Sequence, residues 1–147
     1  MTQVAEVVAL VTAAVNLVAG ALGAWRWWTV EPSRAFWVLC RAGQAAGIVE
    51  AAVAGVLAVL GFHPASNLYW LYALLPVAVS FVAEQLRVTA AQAVLDDRGL
   101  PDAQAVGTLE EERQRSIVLQ IVRREMGTMA AAAIVVAFLA ARAWGTA

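Results

Sequence analysis

Four long apolar stretches, separated by short polar breaks, run the length of this chain. A bilayer core of about 30 Å needs about 20 mostly apolar helical residues, and each stretch meets that requirement. The first covers residues 4–24 and is interrupted only by Glu6 and Asn16. The second covers 35–60, after the break at Glu31-Pro32-Ser33, where Pro32 suits the first turn of a helix because its missing N–H is not needed there. The third begins at Leu68, after the His63-Pro64 turn, and carries an internal Pro76. Its helix formers continue to Leu95, with Gly99 as a C-terminal cap. The fourth is announced by Thr108-Leu109-Glu110-Glu111, a capping-box spacing, and continues to Trp144.

The expected fold is therefore all-α: an integral membrane four-helix bundle with spans at 4–24, 35–60, 68–90 and 118–144. At about 1.5 Å per residue, helices over 68–97 and 109–144 would measure roughly 45 and 54 Å, longer than the bilayer core. Their excess predicts a cytoplasmic helical hairpin over 88–117, with Leu109, Ile117, Val118, Ile121 and Val122 as its apolar seam.

Composition agrees. Of 147 residues, 62% are hydrophobic and 14% charged, with a mean hydropathy of +0.72, too few polar side chains to cover a water-exposed surface. The formal net charge of −1 removes the electrostatic case for nucleic-acid binding. Ten arginines and no lysine, beside abundant alanine, valine and leucine, point to a bacterial source. The opening residues lack a basic region and a small-residue cleavage site, so the first stretch is read as a retained helix.

Arginine placement sets the orientation. Arg26, Arg34 and Arg41 flank the first connection, and Arg87, Arg98, Arg113, Arg115, Arg123 and Arg124 flank the third. Cytoplasmic loops carry the arginine and lysine excess, which puts both connections inside and both termini outside the bacterial cytoplasmic membrane. Trp25, Trp27, Trp28, Phe36 and Trp37 would then form the inner aromatic belt, and Phe62, Tyr69, Trp70, Tyr72 and Trp144 the outer one.

Polar residues inside the spans carry the candidate chemistry. Glu50 lies eleven residues from Gly61, roughly 16 Å deep and near the midplane. An ionised carboxylate there is costly and faces the protein interior. Asn16 and Ser80 fall at the same depth and complete a midplane polar site; each can hydrogen-bond a neutral Glu50, as can the Tyr72 carbonyl freed by Pro76. Glu50 thus reads either as helix glue or as a proton or cation site. A second polar layer, at the cytoplasmic edge, holds Arg41, Gln44, Glu84, Gln85, Arg87, Arg123, Arg124 and Glu125. Pairs such as Arg41 with Glu84 and Arg87 with Glu125 would staple the helices, and the surplus arginine suits anionic lipid. Gly43, Gly47, Ala51 and Gly55 form a small-residue stripe at a spacing of four for close helix packing or homodimerisation. Ala13, Gly20, Gly23 and Ala24 of the first span are its expected counterpart.

No catalytic motif is present. The single cysteine, Cys40, and single histidine, His63, sit in separate spans or loops and offer neither a metal centre nor a cofactor ligand set. The sequence therefore predicts no enzyme, no metal and no cofactor. Its partners are the lipid bilayer and a second copy or another membrane protein. The expected role is structural or interaction-based, through the bundle or the hairpin; the alternative is a small transporter or channel subunit using Glu50.

Overall fold

A computed structural model describes residues 1–147, and every regular element in it is helical: α1 (Thr2–Thr29), α2 (Arg34–Val59), α3 (Leu68–Asp97), the short α4 (Ala103–Val106) and α5 (Glu111–Trp144). The chain is a multi-pass membrane protein by its helices: α1, α2, α3 and α5 are each long and apolar enough to cross a bilayer. α1 packs against α2 and α5, and α3 packs against the same two.

The helix ends follow from local chemistry. α2 and α3 both stop in a Schellman motif, with a glycine in the left-handed region. Gly61 has φ 76°, and Gly61 and Phe62 donate their N–H groups to the Ala58 and Leu57 carbonyls at 3.1 and 2.9 Å. Gly99 has φ 67°, and Gly99 and Leu100 donate to Asp96 and Leu95 at 3.0 and 2.9 Å. In each motif the hydrophobic residue after the glycine packs on the residue whose carbonyl it caps: Phe62 with Leu57, and Leu100 with Leu95. α1 ends without a glycine. Val30 takes the left-handed conformation at φ 55°, a strained choice for a β-branched residue. Its N–H and that of Glu31 both bond the Arg26 carbonyl, and an Arg26–Glu31 ion pair closes over the turn.

Two expected starts are corrected. Pro32 lies outside α2, because Ser33 is the N-cap and its hydroxyl accepts the Phe36 N–H at 3.2 Å. The capping box before α5 does not form. Thr108 instead donates its hydroxyl back to the Ala105 carbonyl at 2.7 Å, terminating α4, and α5 begins from Glu110 without a side-chain cap. α4 itself was not foreseen; Asp102 caps it by accepting the Ala105 N–H at 2.8 Å.

Three apolar clusters lie along the molecule. The first, with Ala5, Ala9, Ala54, Leu57, Phe62, Tyr69, Ala73 and Ala143, closes the end that holds both termini and the 61–67 loop. There Ala65 and Ser66 donate N–H groups to the Ala147 and Thr146 carbonyls. The second joins Phe36, Cys40, Ala83, Met126, Met129 and Ala130 towards the other end. The third is Val94, Leu95, Val106 and Ile117, where the far parts of α3 and α5 meet the α4 turn. Leu109 and Ile121 pack on it as expected, whereas Val118 is exposed and Val122 joins the second cluster.

The aromatic belts are also revised. Trp25, Trp28 and Trp144 are exposed, but Phe36, Phe62 and Tyr69 are buried. The two phenylalanines have no polar edge to place at a headgroup, and Tyr69 stacks edge-on with both Phe62 and Trp70.

Candidate functional site

Between the first and second apolar clusters the interior turns polar: Thr12, Asn16 and Glu50 are all buried there. Thr12 and Asn16 sit one helical turn apart on the face of α1 that meets α2. Asn16 donates its amide to the Thr12 carbonyl on its own helix at 2.9 Å and to the Gly43 carbonyl across the interface at 3.1 Å. Gly43 permits that approach, since a Cβ there would sit 2.5 Å from Asn16 Oδ1. Thr12 donates its hydroxyl to the Val8 carbonyl at 3.0 Å and lies 3.3 Å from the Ala46 carbonyl.

Glu50 is 2% exposed, and neither of its carboxyl oxygens has a hydrogen-bond partner. This corrects the expected pairing with Asn16 or Ser80. Asn16 lies at the level of Gly43, two helical turns from Glu50 along α2, and its amide N–H groups are already bonded to main chain. Thr12, on the face of α1 that meets α2, turns its hydroxyl to the main-chain carbonyls of Val8 and Ala46 instead. Tyr69, from α3, is the titratable side chain within electrostatic range. No charged residue occurs between Glu6 and Arg26 on α1 or between Glu125 and Arg142 on α5.

Ser80 and Asn16 do meet, at another feature. With Cys40, Gln44, Met129 and Ala133 they line an interior cavity of about 10 Å³, the size at which one water begins to fit. Gln44 links this cavity to the polar layer. Its amide donates to Glu84 Oε1 at 2.8 Å, and Arg41 Nη1 donates to the same oxygen at 2.5 Å and to Gln44 Oε1 at 2.7 Å. Arg87 Nε donates to Glu84 Oε2 at 3.0 Å. Arg87 Nη1 lies 3.8 Å from Glu125 Oε1, and its guanidinium stacks on the Trp37 ring at 5.6 Å. Glu84 thus draws α2 and α3 together, and Arg87 extends the connection to α5.

The rest of the polar layer lies outside this network. Gln85 is exposed and makes no side-chain bond, because it sits a helical third of a turn away from Glu84. Arg123 lies over Trp27 at 5.4 Å, and Arg124 pairs with Asp97 at 3.6 Å on the far part of α3.

The small-residue stripe is half right. Gly43 and Gly47 are buried, with Pro76 Cβ of α3 only 3.3 Å from where a Gly47 Cβ would be. Ala51 is half-buried, and Gly55 is exposed with nothing within 4 Å. A spacing of four overshoots the helical turn by about 40° per step, so the stripe rotates away from the interior. The buried face instead follows Cys40, Gly43, Gly47, Glu50, Ala54 and Leu57. Gly20 and Gly23 do not answer that stripe: they face Ala130 and Ile134 of α5 and the Phe36 ring. Ala24 is exposed.

Thr12 went unnoticed in the sequence, and Trp37 was expected only as part of the inner aromatic belt, not as the ring under Arg87. Thr12 had a readable signal, because it precedes Asn16 by four residues and so shares its helix face. No family model, curated protein or solved structure matches this chain.

Proposed function

We propose that this chain is a four-helix bundle of the bacterial cytoplasmic membrane, with both termini outside. Its role is structural or interaction-based and involves no catalytic step of its own. The far parts of α3 and α5 form a cytoplasmic hairpin that engages a second copy or another membrane protein. The observation that carries this reading is the hairpin's construction. It has its own apolar cluster at Val94, Leu95, Val106 and Ile117, and the Arg87–Glu125 pair bridges its two arms at the base. Ordering a segment of this length costs about 1–2 kcal/mol per residue in backbone entropy, and a mobile loop would connect the spans without that cost.

Orientation rests on the arginine bias. Single cysteines at Ser66 and at Asp102, in a Cys40→Ser background, test it: an impermeant thiol reagent on intact cells should label the first and spare the second. For the interaction, a photo-crosslinking side chain at Glu112 should give one discrete adduct in membranes, either to a second copy or to one partner. Absence of any adduct from Glu112, Arg115 and Val118 alike would overturn the hairpin's assigned role.

A second reading, a small transporter or channel subunit, is favoured by the unpartnered Glu50 carboxyl. A group that only glues helices would be hydrogen-bonded, whereas a proton or cation site keeps its oxygens available. On this reading Glu50→Gln abolishes a pH-driven ion flux in reconstituted vesicles; a parent protein with no flux removes it.

A further inference from the structure

Two grooves run along the outside of α5, one on each side. The first, about 450 Å³, lies between α5 and α1, with Ala24 and Trp27 on one wall and Arg124, Gly127 and Ile134 on the other. The second, about 430 Å³, lies between α5 and α3 and is walled by Val79, Val82, Leu86 and Val135. Thr128 and Ala131 line both. They follow Arg124 by four and seven residues, on the same helix face, so a low ridge of small side chains separates the grooves and Arg124 stands at its head. Arg124 precedes Trp144 by twenty residues, about 30 Å along α5 and the thickness of a bilayer core. The grooves therefore run from a headgroup level into the hydrocarbon.

We propose that this face of α5 binds one diacyl anionic phospholipid, its phosphate at Arg124 and one acyl chain in each groove. The charge at the mouth is complementary to such a headgroup. Arg124 Nη2 lies 3.6 Å from Asp97 Oδ2, a loose pair with both side chains exposed, and the rest of the guanidinium fork is left to donate to a phosphate. Arg123, beside it, lies over the Trp27 ring at 5.4 Å and pairs with no carboxylate. Trp27 itself is an interfacial ring at the mouth of the first groove. Gly127 lets that ring lie against α5, since a Cβ there would sit 2.9 Å from Trp27 Nε1. Two apolar grooves meeting below one arginine match two chains joined at one headgroup. A soluble anion would leave both grooves unfilled, and a single-chain lipid would leave one. The site needs only the membrane spans; neither the hairpin's partner nor Glu50 enters it.

Native mass spectrometry of the full chain, delipidated in detergent and titrated with lipid, tests the site. Dioleoylphosphatidylglycerol should fill one site about fivefold or more tighter than dioleoylphosphatidylcholine, which has the same chains and phosphate but a compensating cation. Lysophosphatidylglycerol, with one chain, should bind more weakly, and inorganic phosphate should not displace the lipid. Arg124→Gln should weaken phosphatidylglycerol binding about fivefold or more. Ala131→Phe, on the exposed ridge where the grooves meet, should weaken it with no change of charge. Arg142→Gln, at the opposite end of α5, should bind like the parent. Helical circular dichroism identifies the folded variants, and Arg124→Gln carries the test if Ala131→Phe does not fold. Parent-like binding in either folded groove variant would overturn the proposal, as would equal affinity for the two diacyl lipids or displacement by inorganic phosphate. A lipid-free dimer that Ala131→Phe abolishes would also overturn it, giving this face to a second copy.

Discussion

Two glutamates divide the molecule. Glu84, at the edge of the spans, receives hydrogen bonds from Arg41, Gln44 and Arg87, and its side chain keeps a quarter of its surface exposed. Glu50, in the interior, is 2% exposed and receives none. The same side chain is a structural tie in one place and an energetic burden in the other. A partly wet site with two guanidinium groups stabilises a carboxylate, whereas a dry site without donors disfavours both forms and the charged one most. Cohesion in this protein therefore lies at the polar edge and in the tight glycine contacts, and the buried Glu50 contributes none of it.

The largest effect that would sharpen this contrast is expected at Gly23. A Cβ there would sit 2.4 Å from the Phe36 ring and 2.8 Å from Ala130 Cβ, inside a contact shared by α1, α2 and α5. Gly23→Leu should prevent folding, and Gly23→Ala should cost about 1–3 kcal/mol by overpacking, both read by thermal unfolding in detergent. Gly47→Leu belongs to the same class, with Pro76 as the obstacle. Gly55→Ala meets open space and should lose nothing, since alanine is the better helix former. Equal losses at Gly23 and Gly55 would break the assignment of cohesion to the glycine contacts.

Arg87→Ala comes next. It removes the bonds to Glu84, the pairing with Glu125 and the stacking on Trp37. The groups are partly exposed, so the loss should be about 1–2 kcal/mol. It should fall at high salt for the ion-pair part and persist for the stacked part. Smaller still, and opposite in sign, is Val30→Gly, which relieves the left-handed valine at the end of α1. It should raise stability by up to about 1 kcal/mol.

Much of this architecture was legible in the sequence, for identifiable reasons. Hydropathy located all four spans, and Gly99 marked the end of α3 because the left-handed capping position selects glycine. Opposite charges at matching depths were enough to anticipate Arg41 with Glu84. The failures came where a one-dimensional spacing stood in for a rotating helix surface. The four-residue stripe turned Gly55 out of the interior, and equal depth alone placed Asn16 against Glu50. Asn16 found its acceptors on nearer main chain, at Thr12 and Gly43, and side-chain reach of that kind leaves no trace in composition or period. Residues such as Phe36 and Tyr69 were placed by type at the membrane interface, although their helix faces point inward.

The unpartnered state of Glu50 sets the sign expected for its replacement by leucine. With no hydrogen bond to lose, leucine removes a buried polar group whose lack of partners costs about 1–3 kcal/mol. The direct test is thermal unfolding of Glu50→Leu beside Glu84→Leu in the same detergent. Glu50→Leu should melt at or above the parent, and Glu84→Leu, which strands Arg41 and Arg87, should melt below it. A Glu50→Leu protein less stable than the parent would mean that the carboxyl does hold the helices together, and would contradict the division between the two glutamates.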